Sequence, residues 1–275
     1  MELDNIIYPG FNKTLSELNA ISKIKKKSCE IVDLTEIEWV RDVLRHRVEE
    51  VGTYDIKFRK PTDEEIKSVS EIVGADINID ELKNNFHKNK RIIGITSGKG
   101  GVGKSTITSL LGIAFDELGK KVGIMDSDIW GYSVPKILGA KFPPIPFNER
   151  IFPSRINNLN VISMDYFVKQ DEAVIWRGPM LHKAIEQFLF EVLWHDIDVL
   201  LIDMPPGTGD VSISLSQFLK YFENIVVTTP QTNATIVAER SGIMSKKVNA
   251  SIIGVIENMS YICLLYTSPS PRDTG

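Results

Sequence analysis

The chain has 275 residues, enough for one large α/β domain with a smaller unit beside it. Its 32 basic and 36 acidic residues leave a formal charge of −4, which argues against nucleic acid as the main partner. Hydrophobic residues make up 43%, yet no run approaches ~18 apolar residues, so no membrane-spanning helix is expected.

The N-terminus carries no apolar core flanked by basic residues, so no signal peptide is expected and the default location is cytoplasmic. Cys29 and Cys263 cannot frame a disulfide scaffold. Lys25, Lys26 and Lys27, like Lys88 and Lys90, read as solvated faces or linker.

Residues 1–60 read as a small α+β domain. A short helix is expected over Thr14–Ile21 and a strand over Ser28–Leu34. From Glu36 to Val51 the apolar residues Ile37, Val40, Val43, Leu44 and Val48 recur at helical spacing. Tyr54–Phe58 alternates like a strand before Pro61. Residues 61–90 read as a linker with partial helix, broken at Asp76–Asp80.

Residues 91–262 alternate strand and helix: β 91–96, α 104–118, β 121–126, α 133–138, β 160–164 and α 180–194. They continue with β 198–203, α 211–221, β 224–229, α 233–247 and β 251–257. Such alternation predicts a doubly wound, mostly parallel sheet covered by helices on both faces. The proline-rich stretch 140–158 reads as an irregular excursion whose aromatics serve packing. The tail Cys263–Gly275 matches the translation of a sequencing adapter read through in frame and is expected to be non-native, with the natural protein continuing beyond about Ile262.

The loop between the first strand and helix of this domain is Gly98-Lys99-Gly100-Gly101-Val102-Gly103-Lys104-Ser105-Thr106. It fits G-x-x-x-x-G-K-[ST], in which glycines let backbone N–H groups converge on phosphate oxygens at a helix N-terminus. On that reading Lys104 reaches the β- and γ-phosphates and the Ser105 hydroxyl ligates Mg2+. The same glycines also read G-x-G-x-x-G, and Asp126 lies near the distance a dinucleotide fold asks for. Lys104-Ser105-Thr106, for which a dinucleotide loop has no use, favours the triphosphate. So does the apolar run Val199–Asp203, a buried strand ending in the carboxylate a Mg2+ site requires.

Asp126, Asp128, Asp203 and Asn258 all fall at carboxyl ends of strands, where doubly wound sheets bind ligands. Asp203 is expected to hold Mg2+ through water, Asp128 to orient the attacking water, and Asp126 to support the metal shell or the loop. An ordinary strand-end turn is the alternative for the Asp126–Asp128 pair. Pro205-Pro206-Gly207-Thr208-Gly209-Asp210 reads as a γ-phosphate-sensing switch or as a plain turn. Lys99 reads as a lysine acting in trans across a nucleotide dimer, or as a solvated loop lysine.

These residues resemble the Mrp/ApbC-type iron–sulfur cluster carrier ATPases, grouped with MinD, ParA and the nitrogenase iron protein among the deviant-Walker-A P-loop proteins. Beyond Lys99–Thr106, the resemblance rests on Asp126–Gly131, Trp176–Met180, Leu201–Asp210, Thr228–Gln231 and Gly254–Tyr261, and covers about residues 91–261. Residues 1–60 resemble, in degenerate form, the small iron–sulfur-assembly domain that precedes many such carriers; the cysteine of that domain's central loop has no clear counterpart.

The resemblance implies an ATP-hydrolysing homodimer that delivers [4Fe–4S] clusters to apo-proteins and works with scaffold proteins, without membrane or nucleic acid. It makes Lys99 the intersubunit lysine, Lys104 and Ser105 the phosphate and Mg2+ contacts, Asp128 the water-positioning acid, Asp203 the second Mg2+ residue and Asn258 an adenine contact. Ser127, Trp130 and Tyr132 replace an alanine, a tyrosine and a proline of the family pattern. The family's Cys-x-x-Cys should follow Tyr261 shortly; Cys263 falls near its first cysteine, but Leu264-Leu265-Tyr266 supplies no second. Cluster ligands are therefore absent from the chain as written, and a MinD/ParA-like positioning ATPase is the alternative function.

Overall fold

The computed structural model describes residues 3–25, 28–129, 131–167, 178–194, 197–207, 210–230 and 250–260. The N-terminal unit holds β1 (Ile21–Lys25), β2 (Ser28–Val32), α1 (Glu38–Val51) and β3 (Asp55–Arg59). Its sheet runs β1-β2-β3, antiparallel in the first pair and parallel in the second. Val40, Leu44 and Val48 lie four residues apart on α1 and are fully buried. Each such side chain contributes about 1.5–3 kcal/mol relative to exposure.

The helix expected over Thr14–Ile21 does not form. The segment makes turns instead, and Asn19 takes a left-handed φ of 50° just before β1. Glu17 caps the Thr14 N–H at 2.7 Å, which closes a single turn rather than seeding a helix. A first turn is costly when nothing propagates it.

Between this unit and the main sheet lie α2 (Asp63–Val73) and α3 (Ile79–Asn85), separated by a break at residues 74–78. A capping box of Thr62 and Glu65 starts α2, and Gly74 at φ 63° ends it.

The main domain contains β4 (Arg91–Ser97), α4 (Lys104–Glu117), β5 (Val122–Asp126), α5 (Val134–Leu138), β6 (Ile145–Phe147) and β7 (Arg150–Phe152). It continues with β8 (Ser154–Ile156), β9 (Leu159–Ser163), α6 (Gly178–Phe190), β10 (Val199–Asp203), α7 (Asp210–Phe218), β11 (Phe222–Thr228) and β12 (Ala250–Glu257). The sheet order is β12-β11-β4-β10-β5-β9-β8, parallel except for β8 against β9. The central strands β4, β5 and β10 are almost wholly buried and read as continuous apolar runs, as two-sided burial requires. The helix expected at 233–247 lies outside the described residues.

Stretch 140–158 is more regular than its prolines suggest. β6 and β7 form a hairpin, and β8 turns back into the main sheet. Asn148 and Glu149 supply the two positive φ angles of a tight hairpin turn, 45° and 60°. Phe147 and Phe152 are buried in one core with Tyr8, Phe11 and Leu15 of the N-terminal unit, so these aromatics do pack. Arg150, also buried, donates to the carbonyls of Ala75, Ile77 and Phe190 and ties the hairpin to the linker and the end of α6. The unit at residues 1–60 thus shares its core with an insertion in the main domain.

Candidate phosphate-loop site

Parallel pairing decides where the site forms. β10 lies between β4 and β5, and register sets Asp203 opposite Ile95 on one side and Asp126 on the other. The loop leaving β4 therefore passes over two strand-end carboxylates. Gly101 and Gly103 take φ of 75° and 85°, values an L side chain rarely adopts, and α4 begins at Lys104.

Lys104 is buried, and its Nζ lies 2.9 Å from Asp203 Oδ1 and 3.5 Å from Asp128 Oδ2. Ser105 Oγ donates to Asp203 Oδ2 at 2.6 Å, and Thr108 Oγ1 donates to Oδ1 at 3.0 Å. Burial pushes the Asp203 carboxyl above its ordinary range, while Lys104 and the two hydroxyls pull it back. Thr108 escaped the motif reading. Its signal is positional: it stands one helical turn after Lys104, on the face of α4 turned to β10.

Asp126 accepts hydrogen bonds at both oxygens. Oδ1 takes the Asp128 N–H at 3.3 Å; Oδ2 takes the N–H groups of Ser133 and Val134 and the Ser163 hydroxyl at 3.1–3.2 Å. These contacts hold the loop that carries Asp128 and starts α5. Burial and the nearby Asp203 charge push its carboxyl up to about 7. Ser133 and Ser163 had no motif to announce them, since they reach Asp126 only through the fold.

A cleft of about 480 Å³ opens over these groups, lined by Ser97, Gly100–Thr106, Asp128, Gly131, Ser133, Pro205 and Pro206. Gly98 and Lys99 are half-buried at its edge and outside that lining; the Lys99 carbonyl accepts from Ser97 Oγ at 2.9 Å. Gly207, with φ of 91°, donates its N–H to the Ser97 carbonyl. Asn258 Nδ2 donates to the Val102 carbonyl at 2.9 Å. Trp130, Trp176, Arg177, Thr208, Gly209, Tyr261 and Cys263 lie outside the described residues. A larger cavity, about 820 Å³, sits between the N-terminal unit and the far end of α4 and contains none of the site residues.

A parallel sheet with a glycine loop, a buried lysine and a strand-end carboxylate facing a hydroxyl at the first helical turn defines a P-loop NTPase. The chain belongs to the ParA family of NUBPL-type iron-transfer P-loop NTPases, whose model matches residues 88–269. Proteins named iron-sulfur cluster carrier protein are 35% identical over 269 residues in Helicobacter pylori and 36% identical over 271 in Aquifex aeolicus. These alignments cover 95% and 92% of this chain and 72% and 74% of the relatives.

The Mycobacterium leprae protein of that name is 48% identical over 62% of this chain, which spans 44% of its length. A nucleotide-binding protein from Archaeoglobus fulgidus, solved with ADP, superposes with a TM-score of 0.57 at 31% identity, covering 72% of this chain and 81% of that one. The chain thus spans about half the length of several curated relatives it matches.

Proposed function

We propose that the chain binds ATP with Mg2+ on the loop Gly98–Thr106 and hydrolyses it, and that the whole protein carries [4Fe–4S] clusters to apo-proteins as a homodimer. The observation that carries this reading is the convergence of Lys104, Ser105, Asp128 and Asp203 at one cleft in a chain of the iron-transfer family.

Lys104 binds the β- and γ-phosphates, exchanging a carboxylate partner for phosphate oxygens. Asp128 orients the water that attacks the γ-phosphate, yielding ADP and phosphate. Lys99 stabilises the transferring group from the partner subunit, and Asn258 lies beside the base. The donor set fits Mg2+: the Ser105 hydroxyl and Asp203 carboxylate are hard oxygens 2.6 Å apart that would hold it. An ion held there would neutralise charge developing on the phosphates. Among the described residues no helix is long and apolar enough to cross a membrane.

The test uses the full-length protein. Reconstituted with iron and sulfide, it should hold a cluster seen by visible absorption and transfer it to an apo iron–sulfur enzyme. Failure to retain a cluster, or activation no faster than by free iron and sulfide, would overturn the carrier reading.

A further inference from the structure

Asn258 reaches the phosphate loop itself. Its backbone N–H donates to the Thr228 carbonyl at 2.8 Å, which anchors it at the end of β11. From there its Nδ2 donates to the carbonyl of Val102, a residue that is 1% exposed and lies inside the loop. Next to Val102, a Cβ added to Gly103 would lie 2.4 Å from Asn258 Nδ2. The amide therefore fills the space that glycine leaves. Met259 turns sharply at φ 56°, and Ser260 Oγ donates to the Glu257 carbonyl at 3.1 Å, closing the turn that aims the Asn258 side chain.

We infer that Asn258 is a positioning residue for the phosphate loop and acts on any triphosphate regardless of its base. It fixes the Val102–Gly103 peptide from behind, and so the direction of the loop N–H groups that meet phosphate. The inference rests on the nucleotide-binding reading above and deepens it, because a base contact alone would leave phosphate affinity untouched.

The experiment compares Mg·ATP, Mg·GTP and Mg·tripolyphosphate binding to wild type and to Asn258→Leu by equilibrium titration. The leucine is close to asparagine in size and adds no charge, but it has no N–H for Val102. Affinity for all three ligands, base-free tripolyphosphate included, should fall roughly tenfold, the size of one lost net hydrogen bond. Circular dichroism at the titration temperature confirms that the variant is folded, and Asn258→Ser serves if the leucine variant is not. A wild-type tripolyphosphate affinity retained in the variant, with loss for ATP alone, would overturn the inference and leave the nucleotide reading standing. A wild type that binds none of the three would overturn both.

Discussion

Asp203 holds Lys104 Nζ at 2.9 Å in a site where both side chains are buried. The same carboxylate accepts the hydroxyls of Ser105 and Thr108, so one group organises the helix start, the loop lysine and the proposed metal position. In the proposed function, phosphate would draw Lys104 away from this carboxylate, and a divalent cation beside Ser105 would compensate the charge left behind.

Asp203→Asn should therefore separate phosphate binding from metal dependence. The variant keeps the shape of the side chain but no longer competes for Lys104 as an anion. Nucleotide affinity in EDTA should hold or rise, while the enhancement by Mg2+ should shrink at least about tenfold. Calorimetric titration with and without Mg2+ checks this; an undiminished Mg2+ effect would remove Asp203 from the metal site.

Asp126→Ala should act through Asp128. Losing the carboxylate frees the N–H groups of Asp128, Ser133 and Val134. Turnover should fall by about ten- to a hundredfold, with ATP affinity changed less than about threefold, because loop position rather than phosphate contact is lost. An equal loss in affinity would place Asp126 in the nucleotide contact itself.

Lys99→Ala should leave ATP binding intact, since its residue lies outside the cleft lining, yet slow single-site turnover by at least about tenfold if it acts across a dimer. Mixing Lys99→Ala with an Asp128→Asn variant should restore part of the activity. Unchanged turnover in the single variant contradicts the role in trans.

Acid stability should report on Glu65. Arg59 binds its carboxylate with two N–H groups, Thr62 donates a backbone N–H to it, and its pKa drops to about 2. The folded value lies below the unfolded one, so the pairing contributes fully above about pH 4.5 and is lost as pH falls toward 2. Both side chains are 31% exposed, and solvent screening limits the contribution to about 1 kcal/mol. Glu65→Gln should lower the melting temperature at pH 7 and flatten the fall between pH 5 and 3. Parallel melting curves for variant and wild type would contradict this.

The phosphate loop and the strand-end acids were legible because their chemistry needs particular residues at short, fixed spacing. Lys104 follows its glycines directly, and Asp203 closes an apolar run. Thr108 and Ser163 were not, because their hydroxyls become partners only when the fold brings them to Asp203 and Asp126, and Ser133 reaches Asp126 through its backbone N–H, a group that every residue but proline carries. The six parallel strands of the main sheet were predicted to within about two residues at each end, whereas β8, the antiparallel edge strand, was not predicted. The β6–β7 hairpin was hidden by flanking prolines, although Asn148 at its turn is a residue that tolerates positive φ. Thr14–Ile21 carries Leu15 and Leu18 at a spacing that fits a helix, but both are buried by a turn packed against the hairpin instead. The shared core between residues 1–60 and that hairpin could not be read locally, since its contacts join segments more than a hundred residues apart.

The most direct test is equilibrium titration of Mg·ATP against wild type and Lys104→Ala. Saturable binding in wild type, weakened at least about a hundredfold in the variant while circular dichroism shows it folded, is what the site geometry predicts. Equal affinity in the two proteins would contradict the assignment of Gly98–Thr106 as the nucleotide site.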